Sequence, residues 1–308
     1  MSTPLLGLDW GSTRLRAFRF GVEGRVEEAR ALPWGSRHLP EGGFAEAFEL
    51  AVDGWPRAPV LACGMVGSRG GWHEVPYLDT PCRLERLADA LTTIDAPGGR
   101  QLHIVPGLRD PAGPDVMRGE ETQIAGLLAQ RPALSSQARL LLPGTHSKWV
   151  RVHDHAVTGF NTVMTGELFA VLRRHSILGA SLPDGAADDD SAFARGVTAS
   201  RNAGAAGALS RLFSARALML EGALAPSAVA DFLSGLLIGD ELRMALAASW
   251  ASPDEPVQVI GEDALCARYL QAAGLLGLSF LATPGTTTAH GLWQVAVAAD
   301  LTTGYACP

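Results

Sequence analysis

The chain has 308 residues, long enough for a large buried core and suggestive of about two domains. With 47% hydrophobic and 19% charged residues it has the make-up of a globular protein and is too apolar to be disordered. A net charge of -7, with no cluster of Lys and Arg, argues against a nucleic-acid partner, so any anionic ligand must be held locally by backbone N–H groups, a metal or a few placed cations.

Cys63, Cys82, Cys266 and Cys307 form no CxxC pair, which points to a reducing compartment. Residues 1–8 lack a basic segment followed by a long apolar one, and the apolar stretch 218–237 is broken by Glu221, Pro226 and Asp231. Neither a signal peptide nor a membrane partner is expected, and the expected location is cytoplasmic.

In chain order, Leu5 to Asp9 is an apolar run ending in a carboxylate, followed by Trp10-Gly11-Ser12-Thr13 and an alternating run to Phe20. Two strand-like runs around a small polar turn predict a hairpin, with a third strand over residues 22–31. A helix is expected over 44–52 and a strand over 59–63, ending in Gly64-Met65-Val66-Gly67-Ser68. Residues 69–115 are rich in Gly, Pro and Asp, with a helical patch at 84–91 and a strand at 103–106. A helix opened by acidic residues follows over 119–130, then a second hairpin with strands at 139–142 and 148–152. Beyond Thr165 the pattern is mostly helical (168–177, 203–220, 227–250), with an exposed acidic loop at 183–190. A strand at 256–260, a helix at 264–273, a strand at 278–281 and a last helix at 285–299 complete the reading. The expected division is residues 1–115 as a first lobe and 116–285 as a second, with 286–308 as a helix returning to the first.

Asp9 at a strand end has the chemistry to hold Mg²⁺, directly or through water. Gly11 lets the backbone approach an anion, and Ser12 and Thr13 offer donors to phosphate oxygens; an ordinary hairpin turn has the same composition. Gly144-Thr145-His146-Ser147-Lys148 repeats the pattern, and two such tips facing each other across a cleft would grip one polyphosphate. His146 and Lys148 serve equally as a turn cap and a solvated strand residue. Glu120 and Glu121 either favour a helix dipole or supply a general base, with Glu120, nearest the loop, preferred. Gly261-Glu262-Asp263 after a strand suits packing against a nucleotide base, and Gly285-Thr286-Thr287-Thr288-Ala289 suits a hinge; both also read as helix starts.

Together these segments resemble the actin-like ATPase superfamily, which includes the sugar kinases. Leu-Gly-Leu-Asp-Trp-Gly-Ser-Thr (residues 6–13) looks like its first phosphate motif, Leu-Leu-Pro-Gly-Thr-His-Ser-Lys-Trp (141–149) like the second, and Val-Ile-Gly-Glu-Asp (259–263) like a degenerate adenosine motif. More narrowly, the blocks at 64–72, 105–109, 115–123, 160–167 and 233–239 resemble the 2-dehydro-3-deoxygalactonokinase family. The resemblance implies an α/β, ribonuclease H-like fold of two lobes, each with a mixed sheet flanked by helices and a cleft between them. It also implies ATP and Mg²⁺ as cofactors and transfer of the γ-phosphate to the 6-hydroxyl of a small sugar-acid substrate. The carboxylate of such a substrate needs a cation or an N–H nest. Arg69 is put first because flanking glycines permit close approach, with Arg109 and Arg14 as alternatives and Ser68 and Trp72 beside it. Other outcomes stay open: a nucleotide-driven conformational switch, a kinase for a gluconate-derived keto acid, a sugar-acid sensor without catalysis. The Ala/Leu/Gly-rich helices are compatible with a homodimer.

Overall fold

The structure is a computed structural model and describes residues 5–180, 183, 188–283 and 287–302. The first hairpin pairs β1 (Leu5–Trp10) with β2 (Leu15–Phe20), placing Asp9 opposite Arg16, and β3 (Val26–Leu32) continues the meander. Helix α1 (Gly43–Val52) leads to β4 (Val60–Gly64), a continuously apolar strand that runs parallel to β1 and is buried throughout. Then come β5 (Tyr77–Asp79), β6 (Cys82–Arg83), α2 (Arg86–Asp89), β7 (Thr92–Ala96), β8 (Arg100–Ile104), β9 (Gly107–Asp110), β10 (Asp115–Met117) and α3 (Glu120–Gln130). Beyond them are β11 (Gln137–Leu142), β12 (Ser147–His153), β13 (Ala156–Val163), α4 (Thr165–His175), α5 (Asp190–Asn202), α6 (Ser214–Leu220) and α7 (Val229–Ala247). The chain closes with β14 (Val257–Ile260), α8 (Asp263–Leu275), β15 (Phe280–Thr283) and α9 (Thr287–Ala298).

Two compact units result: residues 1–137, 152–160 and 285–308, and residues 138–151 and 161–284. This differs from the expected boundary near 115, because α3 packs on α9 and so belongs to the first unit. The first unit carries a mixed sheet in the order β3-β2-β1-β4-β8-β7 and a small sheet β10-β9-β5. Its core gathers Leu6, Leu8, Trp10, Phe48, Val60 and Ile104 beneath α1. Helices α3 and α9 cross backbone to backbone: a Cβ on Gly291 would fall 1.8 Å from the Thr122 carbonyl oxygen, and one on Gly126 1.9 Å from that of Thr287. Only glycine permits that approach.

In the second unit β15, β14, β11 and β12 lie side by side in that order, with β11, β14 and β15 parallel. Helices α5 and α7 make another glycine-mediated crossing, where a Cβ on Gly235 would meet the Phe193 carbonyl oxygen at 2.0 Å. Trp149, Phe193, Leu242 and Val259 centre one apolar cluster of this unit, and Phe232, Leu233 and Leu236 another.

Two local readings change. Residues 203–213, expected to be helical, form two short 3-10 segments before α6, and α5 was not expected as a helix. Residues 184–187 of the acidic loop at 183–190, and Gly285 and Thr286 of the hinge segment, lie outside the described residues.

Candidate active site

In the first unit, the turn after β1 is closed by the Gly11 N–H donating to the Arg14 carbonyl at 2.9 Å. The carbonyls of Gly11 and Ser12 accept from the N–H groups of Ser36 and Arg37, each at 3.0 Å, which fixes the tip while leaving Thr13 and Arg14 exposed. Asp9 is held by Arg16, whose Nε donates to Oδ2 at 2.9 Å and whose Nη2 reaches both Oδ2 and, at 3.1 Å, the Thr288 hydroxyl. The other oxygen, Oδ1, stands 4.0 Å from the buried Cys63 Sγ. Burial and then the Asp9 charge push the Cys63 thiol well above its ordinary value. Among the described residues no group of three or more His, Cys, Asp or Glu forms a cage for a metal. A single carboxylate with one oxygen turned away from its arginine fits the ion that is mostly coordinated by water and substrate phosphates.

The head of α3 separates the two glutamates by environment. Gly119, with φ of 105°, makes the sharp entry. Glu120 is half-buried, and its Oε2 accepts the Arg118 N–H at 3.0 Å. Glu121 is completely buried, with Oε2 accepting the Gly119 N–H at 2.7 Å and Oε1 the Thr122 hydroxyl at 2.9 Å. Burial first, and the neighbouring Glu120 charge second, raise the Glu121 carboxyl from 4.5 to about 7.

The glycine-rich segment after β4 folds into a tight turn in which the Ser68 hydroxyl donates to the Met65 carbonyl at 2.8 Å. Arg69 is exposed on this turn. Trp72 is partly buried in the apolar core, stacked on Phe44 and edge-on to Trp10 and Phe48. Arg109 makes a two-pronged pair with Asp79, at 2.6 and 2.8 Å, which holds that carboxyl below its usual range. Arg14 is exposed.

In the second unit, the turn from Gly144 to His146 borders a cavity of about 870 Å³. Pro143, Gly144 and Thr145 line it with Thr165 and Gly166 from the start of α4, and with Glu262, Ala264, Leu265 and Tyr269 from the α8 region. The turn and α4 are locked together: the Glu167 N–H donates to the Thr145 carbonyl at 2.9 Å, its carboxylate meets the His146 ring, and a Cβ on Gly166 would lie 2.4 Å from the Gly144 carbonyl oxygen. Gly261 packs beside the Pro143 carbonyl. Ser147 and Lys148 have buried side chains that turn inward, Ser147 to the Tyr269 hydroxyl at 2.9 Å and Lys148 to the Thr162 hydroxyl at 2.7 Å.

Sequence reasoning missed the groups behind this cavity. Glu241 of α7, fully buried, accepts the Trp149 indole N–H at 2.9 Å and the Tyr269 hydroxyl at 2.6 Å, with Thr165 and Ser147 also hydrogen-bonded. Burial raises its carboxyl and those four donors oppose the shift. The one available signal was a glutamate set in the apolar run from Leu233 to Leu242. Arg268 and Asp231, paired at 2.6 Å on the cavity wall, carried no sequence signal at all.

The 2-keto-3-deoxy-galactonokinase family model matches residues 9–295. The chain is 35% identical to the 2-dehydro-3-deoxygalactonokinase of Escherichia coli K12 over 93% of its own length and 95% of the relative's. A Sinorhizobium meliloti protein crystallised under the 2-dehydro-3-deoxygalactonokinase name shares 36% identity and a TM-score of 0.85, covering 96% of this chain and 98% of that one. At the level of fold, an activator of 2-hydroxyisocaproyl-CoA dehydratase from Clostridium difficile, solved with ADPNP, matches with a TM-score of 0.52 at 15% identity over 97% of this chain and 96% of that one. The architecture is that of the actin-like ATPases and sugar kinases. On its sequence match from Asp9 onward, the chain belongs to the 2-keto-3-deoxy-galactonokinase family.

Proposed function

We propose that this chain is an ATP- and Mg²⁺-dependent kinase that phosphorylates the 6-hydroxyl of 2-dehydro-3-deoxy-D-galactonate in galactonate catabolism. The observation that carries the reading is family membership across residues 9–295, with a half-buried glutamate at the head of α3 where a base is needed. Phosphoryl transfer asks little covalent chemistry of a protein, so its residues act by positioning and charge. Gly11, Ser12 and Thr13 in one unit, and Gly144, Thr145, His146, Ser147 and Lys148 in the other, are the phosphate-binding segments. Ser147 and Lys148 contribute main-chain groups and bracing, since their side chains bond internally. The cavity beside Gly144 is of a size for a small-molecule ligand, and we assign it to the nucleoside, with Gly261 behind Pro143.

Asp9 would hold a hydrated Mg²⁺, and such an ion would supply neutralisation of charge on the phosphate oxygens. Glu120 accepts the proton of the substrate hydroxyl as its oxygen attacks phosphorus. Glu121, sealed from solvent, orients the start of α3. Ser68, Arg69, Trp72 and Arg14 belong to the sugar-acid side, whereas Arg109 reaches it only by releasing Asp79. The protein acts in the cytoplasm, as a homodimer. A coupled ATP assay across galactonate- and gluconate-derived 2-keto-3-deoxy acids tests the reading. Strong turnover with the galactonate derivative and weak turnover with ATP alone is the expected result. Equal ATPase rates with and without acids would replace it with a conformational switch.

A further inference from the structure

Arg118 stands immediately before Gly119 and Glu120, and only 9% of it is exposed. Its Nη2 donates to the Val75 carbonyl at 2.6 Å, and the guanidinium lies over the Tyr77 ring, 4.2 Å from the centroid. Its Nε and Nη1 are buried without a hydrogen-bond partner. No carboxylate pairs with it among the described residues. A guanidinium keeps its charge at any working pH, and a charge shut into an interior is normally paired, because leaving it alone costs far more than leaving a neutral group alone.

We propose that Arg118 is the specificity-determining residue that recognises the carboxylate of the sugar-acid substrate. The inference rests on the kinase reading above and adds the residue that separates acids from neutral sugars. Placement supports it from two sides. Along the chain, Arg118 precedes the glutamate assigned to the reacting hydroxyl by two residues. In space, its unpartnered Nη1 lies against Gly67 in the turn that carries Ser68 and Arg69: a Cβ on Gly67 would sit 2.9 Å from it. Glycine is the thinnest cover a chain can place over a cation. A carboxylate arriving at that turn displaces one glycine's breadth of backbone and gains a charge-assisted hydrogen bond to Nη1. The arginines nominated from sequence are less suited, since Arg109 already holds Asp79 while Arg14 and Arg69 face water, where an ion pair is weak. The neighbouring Tyr77 ring and Val75 carbonyl hold the guanidinium in place before the substrate binds.

The test compares 2-dehydro-3-deoxy-D-galactonate with its neutral methyl ester in the wild type and in Arg118→Met, Arg118→Gln and Arg118→Lys. The wild type is expected to favour the acid by roughly 100-fold or more in kcat/KM. In the Met and Gln variants that preference should collapse to within about 5-fold through a raised KM for the acid, with KM for ATP unchanged. A purely structural role predicts equal losses on acid and ester, and that outcome overturns the proposal. Arg118→Lys keeps the charge that the packing already accommodates. If the neutral variants do not fold, a KM for the acid raised about 10-fold in the Lys variant, with the ester unaffected, supports the assignment, and an unchanged KM refutes it. Absence of wild-type activity on any sugar acid would instead remove the kinase reading itself.

Discussion

The buried carboxylate of Glu241 accepts the hydroxyl of Tyr269 at 2.6 Å, tying α7 to α8 directly behind the Gly144–His146 turn. Tyr269→Phe removes one donor and leaves that oxygen short of a partner inside the protein. The expected cost is about 1–3 kcal/mol of stability, read as a lower denaturation midpoint at unchanged slope. A midpoint equal to wild type would mean that the phenol does not brace the carboxylate.

Glu121 gives the fold a pH signature. Its carboxyl is raised in the folded state from 4.5 to about 7, so the native chain holds a proton that the unfolded chain releases earlier. That contribution is fully present below about pH 4.5 and is lost as pH climbs through about 7, a change of order 3 kcal/mol at ~1.4 kcal/mol per pH unit. Melting temperatures of wild type and Glu121→Gln, measured from pH 5 to 8, should diverge as pH rises, with the Gln variant the less sensitive. Parallel curves would show that Glu121 does not titrate in this window.

The two glutamates at the head of α3 should also separate kinetically. Glu120→Gln is expected to slow the chemical step by roughly 100-fold or more, with KM values little altered. Glu121→Gln should retain most of kcat. A dead Glu121→Gln beside an active Glu120→Gln would reverse the assignment of the base.

Asp9→Asn should raise the Mg²⁺ concentration needed for half-maximal turnover while leaving the hairpin folded, because Arg16 still pairs with Thr288. Far-ultraviolet circular dichroism checks the fold and a Mg²⁺ titration of rate checks the role. Wild-type turnover at limiting Mg²⁺ would place Asp9 outside the site.

Gly291→Ala should destabilise the first unit by about 1–3 kcal/mol or more, since the added carbon would fall 1.8 Å from the Thr122 carbonyl and the helices must part. The comparison is Gly43→Ala, where a Cβ meets nothing within 4 Å but φ is +69°. A Gly291→Ala melt no worse than that one would contradict the close crossing.

Much of this architecture was legible in the chain. Alternation on either side of Gly11-Ser12 revealed the first hairpin, and the acidic opening of α3 revealed that helix, because both signals are local. The strands β5, β9 and β10 have only 3, 4 and 3 residues, too short for a period of two to show. Helix α5 has a local cap, the Asp189 side chain accepting the Ala192 N–H at 2.8 Å, but its packing is tertiary and left no local pattern: a Cβ on Gly196 would meet the Phe232 carbonyl oxygen of α7 at 2.1 Å. Residues 203–213 have the composition of a helix, yet Gly204 and Gly207, at φ of 57° and 66°, break the regular turn. At the site, the two glycine-tipped turns could be read directly. The Glu241–Tyr269 pair spans 28 residues and the Glu241–Trp149 pair 92, distances over which no local pattern reports.

Helix α9 belongs to the first unit and packs on β1, with Leu292 against Gly7 and Trp293 against Phe20. Strand β1 therefore stays partly uncovered until a helix far along the sequence has been made. A chain released before residue 287 would expose β1 and the flank of α3 together, and such a product should be cleared by proteases rather than accumulate as a partly active enzyme.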